Sequence, residues 1–243
     1  MKEGKDSMRK GYDTVAMQSA AANQPNALLS ARQRMVAGAE VLLGATVVIG
    51  HNVCHLVPNE VPILVLLFWA SLLLRRKPWA SVGLCGPLSW KRTLTIAGCA
   101  GLLLQLKDFV TEPVAHMVWQ QKETVSSVLA SAGRHHPLLS LKSLLIVWIF
   151  AFGEEIGYRG LLLRRTADVF NGSPWGYAVA VALSSLLFGF GHFYKGPTGI
   201  FDSTVSGFIL AAAYLVGRRN LWAPILAHGI SDTIAVLWTF LGW

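Results

Sequence analysis

Residues 138–165 read LLSLKSLLIVWIFAFGEEIGYRGLLLRR. As a helix rising about 1.5 Å per residue, the stretch from Leu138 to Leu163 is long enough to cross a hydrocarbon core of about 30 Å. Glu154, Glu155 and Arg159 nevertheless lie inside it. A charged side chain within a span costs about 3 kcal/mol even on the milder insertion scales, so each needs a partner or a water-filled cavity. Where those three groups go decides both the fold and the chemistry.

The rest of the chain agrees with a membrane setting. Of 243 residues, 53% are hydrophobic and only 14% charged, and the mean hydropathy is +0.47. A soluble domain carries about a quarter charged residues. The net charge of +8 is held in short basic clusters beside apolar blocks. That pattern orients a membrane protein and excludes a nucleic-acid groove. Cys54, Cys85 and Cys99 have no CxxC spacing and no even framework, so they predict neither a disulfide scaffold nor a zinc finger.

The expected fold is an all-α polytopic transmembrane helix bundle of about seven spans, near 35–57, 60–74, 93–111, 138–163, 175–193, 200–217 and 221–241. Residues 1–34 read as a polar N-terminal tail and 35–243 as one transmembrane domain. The short second span, with Pro62 near its start, is expected to cross only partly or at a tilt. Residues 112–137 are expected to form an interfacial helix with Trp119 at headgroup depth. With the N-terminus in the cytoplasm, fifteen Lys/Arg fall on the inner side and five on the outer, as the positive-inside rule requires. The expected location is a multi-pass integral membrane protein, in the inner membrane if bacterial.

Spacing then sorts the intramembrane polar residues. Glu155 and Arg159 are i and i+4 and can pair on one helix face, whereas Glu154 points about 100° away and is free for another partner. His228 and Asp232 are also i and i+4. Glu154 lies 17 residues before Asn171, and His192 lies 18 after Pro174. A hairpin turning at NGSP (171–174) sets both roughly 26 Å from the turn. Glu154 is 11 residues before Arg165 and His228 nine after Arg219, each roughly 14–17 Å from the basic edge. Three spans therefore bring Glu154, His192 and His228 to one depth.

A carboxylate with two imidazoles can take a proton from water, hold that water and stabilise an oxyanion. The same trio can bind zinc and leave one position open for water. Either way the expected chemistry is hydrolysis, with an amide as the expected substrate bond. Other polar residues read as structural. His51 and His55 have metal-ligand spacing but no carboxylate at their depth. Glu40 can snorkel to the basic edge, and Asp202 reads as a helix cap.

EEIGYR fits EExxxR, FGFGH (Phe188–His192) fits FxxxH, and HGISD fits Hxxx(N/D). In this order and with these separations, residues 138–241 resemble the CPBP family of CAAX-processing and bacteriocin-processing intramembrane proteases, also called the Abi family. The resemblance implies a helical membrane endopeptidase in which Glu154 acts on the catalytic water and His192 assists. His228, with Asp232, stabilises the oxyanion, while Glu155, Arg159 and Phe188 support them. It implies membrane-associated substrates, prenylated CAAX proteins or propeptides. No cofactor is needed in a glutamate-based mechanism; in a zinc enzyme, Glu154, His192 and His228 are the ligands. Asp232 departs from the common Asn: an ionised Asp cannot donate to an oxyanion, although it can orient His228 or ligate a metal.

The sequence disfavours rival classes. There is no HExxH and no GxGD, and Ser206 lacks the setting of a rhomboid-type nucleophile for His228. A proton-coupled transporter lacks the expected repeats and paired broken helices. A non-catalytic scaffold or immunity protein of the same fold is the main alternative.

Overall fold

The computed structural model describes residues 28–120, 130–131 and 135–242; most of the polar tail, with much of 112–137, lies outside them. The described residues form α1 (Ala31–Asn52), α2 (Glu60–Leu74), a 3-10 turn (Trp79–Val82), α3 (Trp90–Leu106) and α4 (Asp108–Trp119). There follow α5 (Pro137–Glu155), a π-helical stretch (Ile156–Leu163), α6 (Arg164–Val169), α7 (Pro174–Phe190), a 3-10 turn (Phe193–Lys195), α8 (Gly196–Val216) and α9 (Trp222–Leu241). The fold is the expected all-helical bundle. Five helical segments are long and apolar enough to cross a membrane, the longest being Pro137–Val169, while Glu60–Leu74 and Pro174–Phe190 are shorter apolar helices.

Local chemistry sets the boundaries. Ser30 caps α1 in a capping box with Gln33, Asn59 caps α2 and Ser89 caps α3. Ser173 caps α7 with Pro174 just inside, the arrangement that satisfies free N–H groups at a helix start. The expected NGSP turn is present, with Asn171 and Gly172 in the left-handed region.

The helix in the opening stretch is the hub. α2 docks on its small-residue face: a Cβ on Gly153 would fall 2.7 Å from Val61, one on Gly157 2.9 Å from Leu64 and one on Gly160 2.9 Å from Phe68. Leu64 and Phe68 are fully buried there. α8 packs along α7, and α9 lies between α3 and α5.

Several expectations change. The third candidate span is longer than expected, because α4 continues it to Trp119; residues 121–129 and 132–134 of the segment expected to lie at the interface are outside the described residues. Asp202 is no cap: α8 begins at Gly196 with Pro197 in its first turn, and Asp202 pairs with Lys107 at 2.5 Å and accepts from Thr111 at 2.6 Å. Glu40 reaches the basic edge, where it finds specific partners. It bonds Arg75 and lies 3.3 Å from Arg165, which also pairs with Asp168 at 2.6 Å.

Candidate active site

The site is assembled where α5 passes into its π-helical stretch. All eight π residues are buried, and single π turns are frequent at functional sites. Arg159, inside this stretch, is wholly buried. Its Nη1 donates to Glu155 Oε1 at 2.8 Å and its Nη2 to the Gly207 carbonyl at 3.0 Å. The guanidinium lies over the Phe188 ring, 4.7 Å from the centroid. One arginine thus ties α5, α7 and α8 together through charge-assisted bonds and a cation–π contact.

Glu155 does more than pair with Arg159. The same Oε1 lies 2.9 Å from His228 Nδ1, so Glu155 orients the imidazole of α9 as well. The other ring nitrogen, Nε2, faces Asp232 Oδ2 at 3.6 Å and Glu154 Oε2 at 3.9 Å. His228 arrives there because α9 approaches α5 closely at Gly229, where a Cβ would fall 2.5 Å from the Trp148 ring. The indole of Trp148 in turn donates to Thr233 at 3.1 Å.

Glu154 differs from its neighbour. Its Oε2 is buried with no hydrogen-bond partner among the described residues. A buried polar atom without a partner is costly and marks a functional position or a place for water. The Tyr158 hydroxyl is likewise buried and unpartnered, beside Gly191, where a Cβ would fall 2.3 Å from it.

His192 sits just past the end of α7. Its Nδ1 lies 2.9 Å from the Phe188 carbonyl. Donation from Nδ1–H leaves Nε2 as the acceptor of a neutral ring. The Phe188 ring packs against both imidazoles, 4.8 Å from His192 and 5.8 Å from His228. Glu154, Glu155, His228 and Asp232 therefore form one polar cluster, and Phe188 joins His192 to it. No hydrogen bond or ion pair links Glu154 directly to His192 among the described residues.

Among the described residues, no three His, Cys, Asp or Glu side chains stand as a metal-holding group. Zinc coordination by Glu154, His192 and His228 requires these side chains to move from the positions they occupy.

Sequence reasoning missed Glu60. It is buried at the start of α2, with Oε2 3.2 Å from His51 Nε2, while His51 Nδ1 contacts the Val57 carbonyl at 3.0 Å. His51 thus has a carboxylate partner after all, and exposed His55 takes no part in that pair. Glu60 precedes Val61, which packs against Gly153 of the helix that carries Glu154. The available signal was a lone acid leading an apolar run.

Residues 136–234 match the family model described as type II CAAX prenyl endopeptidase Rce1-like. The matched segment runs from the start of α5 into α9 and includes all three motifs. No curated protein and no solved structure matches the chain.

Proposed function

Since residues 136–234 make this chain a member of the Rce1-like CPBP family of membrane proteases, we propose that it is an intramembrane endopeptidase in which Glu154 activates the attacking water. The observation that carries this reading is the buried, unpartnered Oε2 of Glu154, 3.9 Å from His228 Nε2.

Glu154 takes a proton from water as the water oxygen attacks the scissile carbonyl carbon. His228, held through Nδ1 by Glu155, directs Nε2 toward the developing oxyanion. Asp232 supports the charge on that ring from 3.6 Å. His192, with Nδ1 turned to the Phe188 carbonyl, offers Nε2 to the other side of the water. When the C–N bond breaks, the proton held by Glu154 passes to the leaving amine. A carboxylic acid and an amine are then released, with no net gain or loss of protons at the site. Arg159 and Phe188 position these groups and touch no reacting atom.

The substrate is a membrane-associated peptide, either a prenylated protein cut near its C-terminus or a propeptide cut near the bilayer. Incubating the purified protein with both peptide types separates them. Cleavage of the prenylated peptide alone supports the CAAX-type reading, and cleavage of the propeptide alone overturns it.

A further inference from the structure

At one end of the bundle, the α2–α3 and α8–α9 connections are joined to each other. Leu221 N donates to the Gly83 carbonyl at 2.9 Å, Asn220 Nδ2 to the Cys85 carbonyl at 3.0 Å and Arg92 Nη2 to the Val216 carbonyl at 3.0 Å. Gly83 has φ +90°, and a Cβ there would fall 1.8 Å from the Arg219 carbonyl oxygen, so the junction needs glycine.

Segments 75–92 and 217–222 together carry seven Lys/Arg and no Asp or Glu. Two of these bases are engaged inward, Arg75 with Glu40 and Arg219 with the Tyr177 hydroxyl at 2.7 Å. Arg76, Lys77, Lys91, Arg92 and Arg218 are exposed. The nearby acids do not offset them, because Glu40 bonds Arg75 and Arg165, and Asp168 pairs with Arg164 and Arg165. Two exposed indoles flank the cations, Trp79 at 40% and Trp90 at 51%, with Leu88 and Leu94 exposed beside them. Trp90 packs on Trp222, the first residue of α9, at 6.1 Å between centroids.

Exposed cations carried on two hydrogen-bonded loops, with exposed indoles and leucines beside them in the chain, present a phosphate-binding rim beside an apolar wall. Indoles settle at headgroup depth, and arginine and lysine clusters there attract acidic lipids. Arginine and lysine bind a phosphate through charge-assisted hydrogen bonds. We propose that the joined loops 75–92 and 217–222 form a binding site for the headgroup of an anionic phospholipid. The apolar wall selects a lipid over free phosphate. The same contacts brace the start of α9, the helix that carries His228 and Asp232. The site stands independently of the protease reading.

The test is the melting temperature of the purified full chain in neutral detergent, with added short-chain phosphatidylglycerol, phosphatidylcholine or inorganic phosphate. Phosphatidylglycerol is expected to raise it saturably by a few degrees, with the shift erased by high salt. Phosphatidylcholine and phosphate are expected to leave it unchanged. Combined Arg76→Gln, Lys77→Gln, Lys91→Gln and Arg218→Gln removes the shift, whereas Arg32→Gln with Lys142→Gln, exposed outside these loops, keeps it. If the fourfold variant does not fold, Lys77→Gln with Lys91→Gln is expected to weaken apparent lipid affinity severalfold. An equal shift from phosphatidylcholine or from inorganic phosphate overturns the proposal, as does equal loss in the Arg32/Lys142 control.

Discussion

The Nδ1 of His228 lies 2.9 Å from Oε1 of Glu155, the same oxygen that accepts from Arg159 at 2.8 Å. One carboxylate oxygen thus fixes an imidazole on α9 and a guanidinium on its own helix, and Glu155 couples the stability of the bundle to the geometry of the site.

Glu155→Ala leaves Arg159 buried without its charge partner and is expected to cost about 3–5 kcal/mol, read as a lowered unfolding midpoint in detergent. Glu155→Gln retains an acceptor oxygen and is expected to cost less. Because His228 shares that oxygen, the effects of Glu155→Ala and His228→Ala are expected to be non-additive by about 0.5–3 kcal/mol. Strict additivity would mean the shared oxygen carries no coupling.

Gly229→Val places a side chain where a Cβ already falls 2.5 Å from the Trp148 ring. Overpacking of this kind costs about 1–3 kcal/mol. Pushing α9 off α5 also moves His228, so peptidase activity is expected to fall further than the melting temperature alone explains. Steady-state kinetics on the folded fraction checks this.

Asp232 stands where the family pattern often has Asn, 3.6 Å from His228 Nε2. If its work is to orient and support that ring, Asp232→Asn keeps measurable cleavage, and Asp232→Ala loses about 10- to 100-fold in kcat, equivalent to about 1.4–2.7 kcal/mol of transition-state stabilisation. Equal loss in both would assign the role to the negative charge itself.

A water activated by Glu154 alone needs no metal. Dialysis against a chelator is expected to leave kcat unchanged, with no gain on adding zinc. Loss on chelation with recovery on zinc would move Glu154, His192 and His228 into a metal shell.

Much of this architecture was legible in the chain. A bilayer about 30 Å thick demands long apolar runs, and Asn171–Pro174 fixes a tight turn with residues suited to positive φ and helix initiation. The i,i+4 rule gave Glu155–Arg159 because it concerns one helix only. Contacts between helices were harder, since spacing sets depth but not the rotation of one helix about another. His228 reaches Glu155 because Trp148 seats on Gly229. His51 meets Glu60 because the Val57 carbonyl turns its ring. The π stretch over Ile156–Leu163 leaves no periodic mark in the sequence. Asp202 was misjudged because α8 starts six residues earlier, at Gly196.

The most direct test of the central claim compares wild type with Glu154→Gln, matched in melting temperature, on prenylated and transmembrane peptides, with products weighed by mass spectrometry. Wild type is expected to release a defined fragment at one peptide bond and Glu154→Gln none. Equal cleavage by both proteins would rule out Glu154 as the group that activates water.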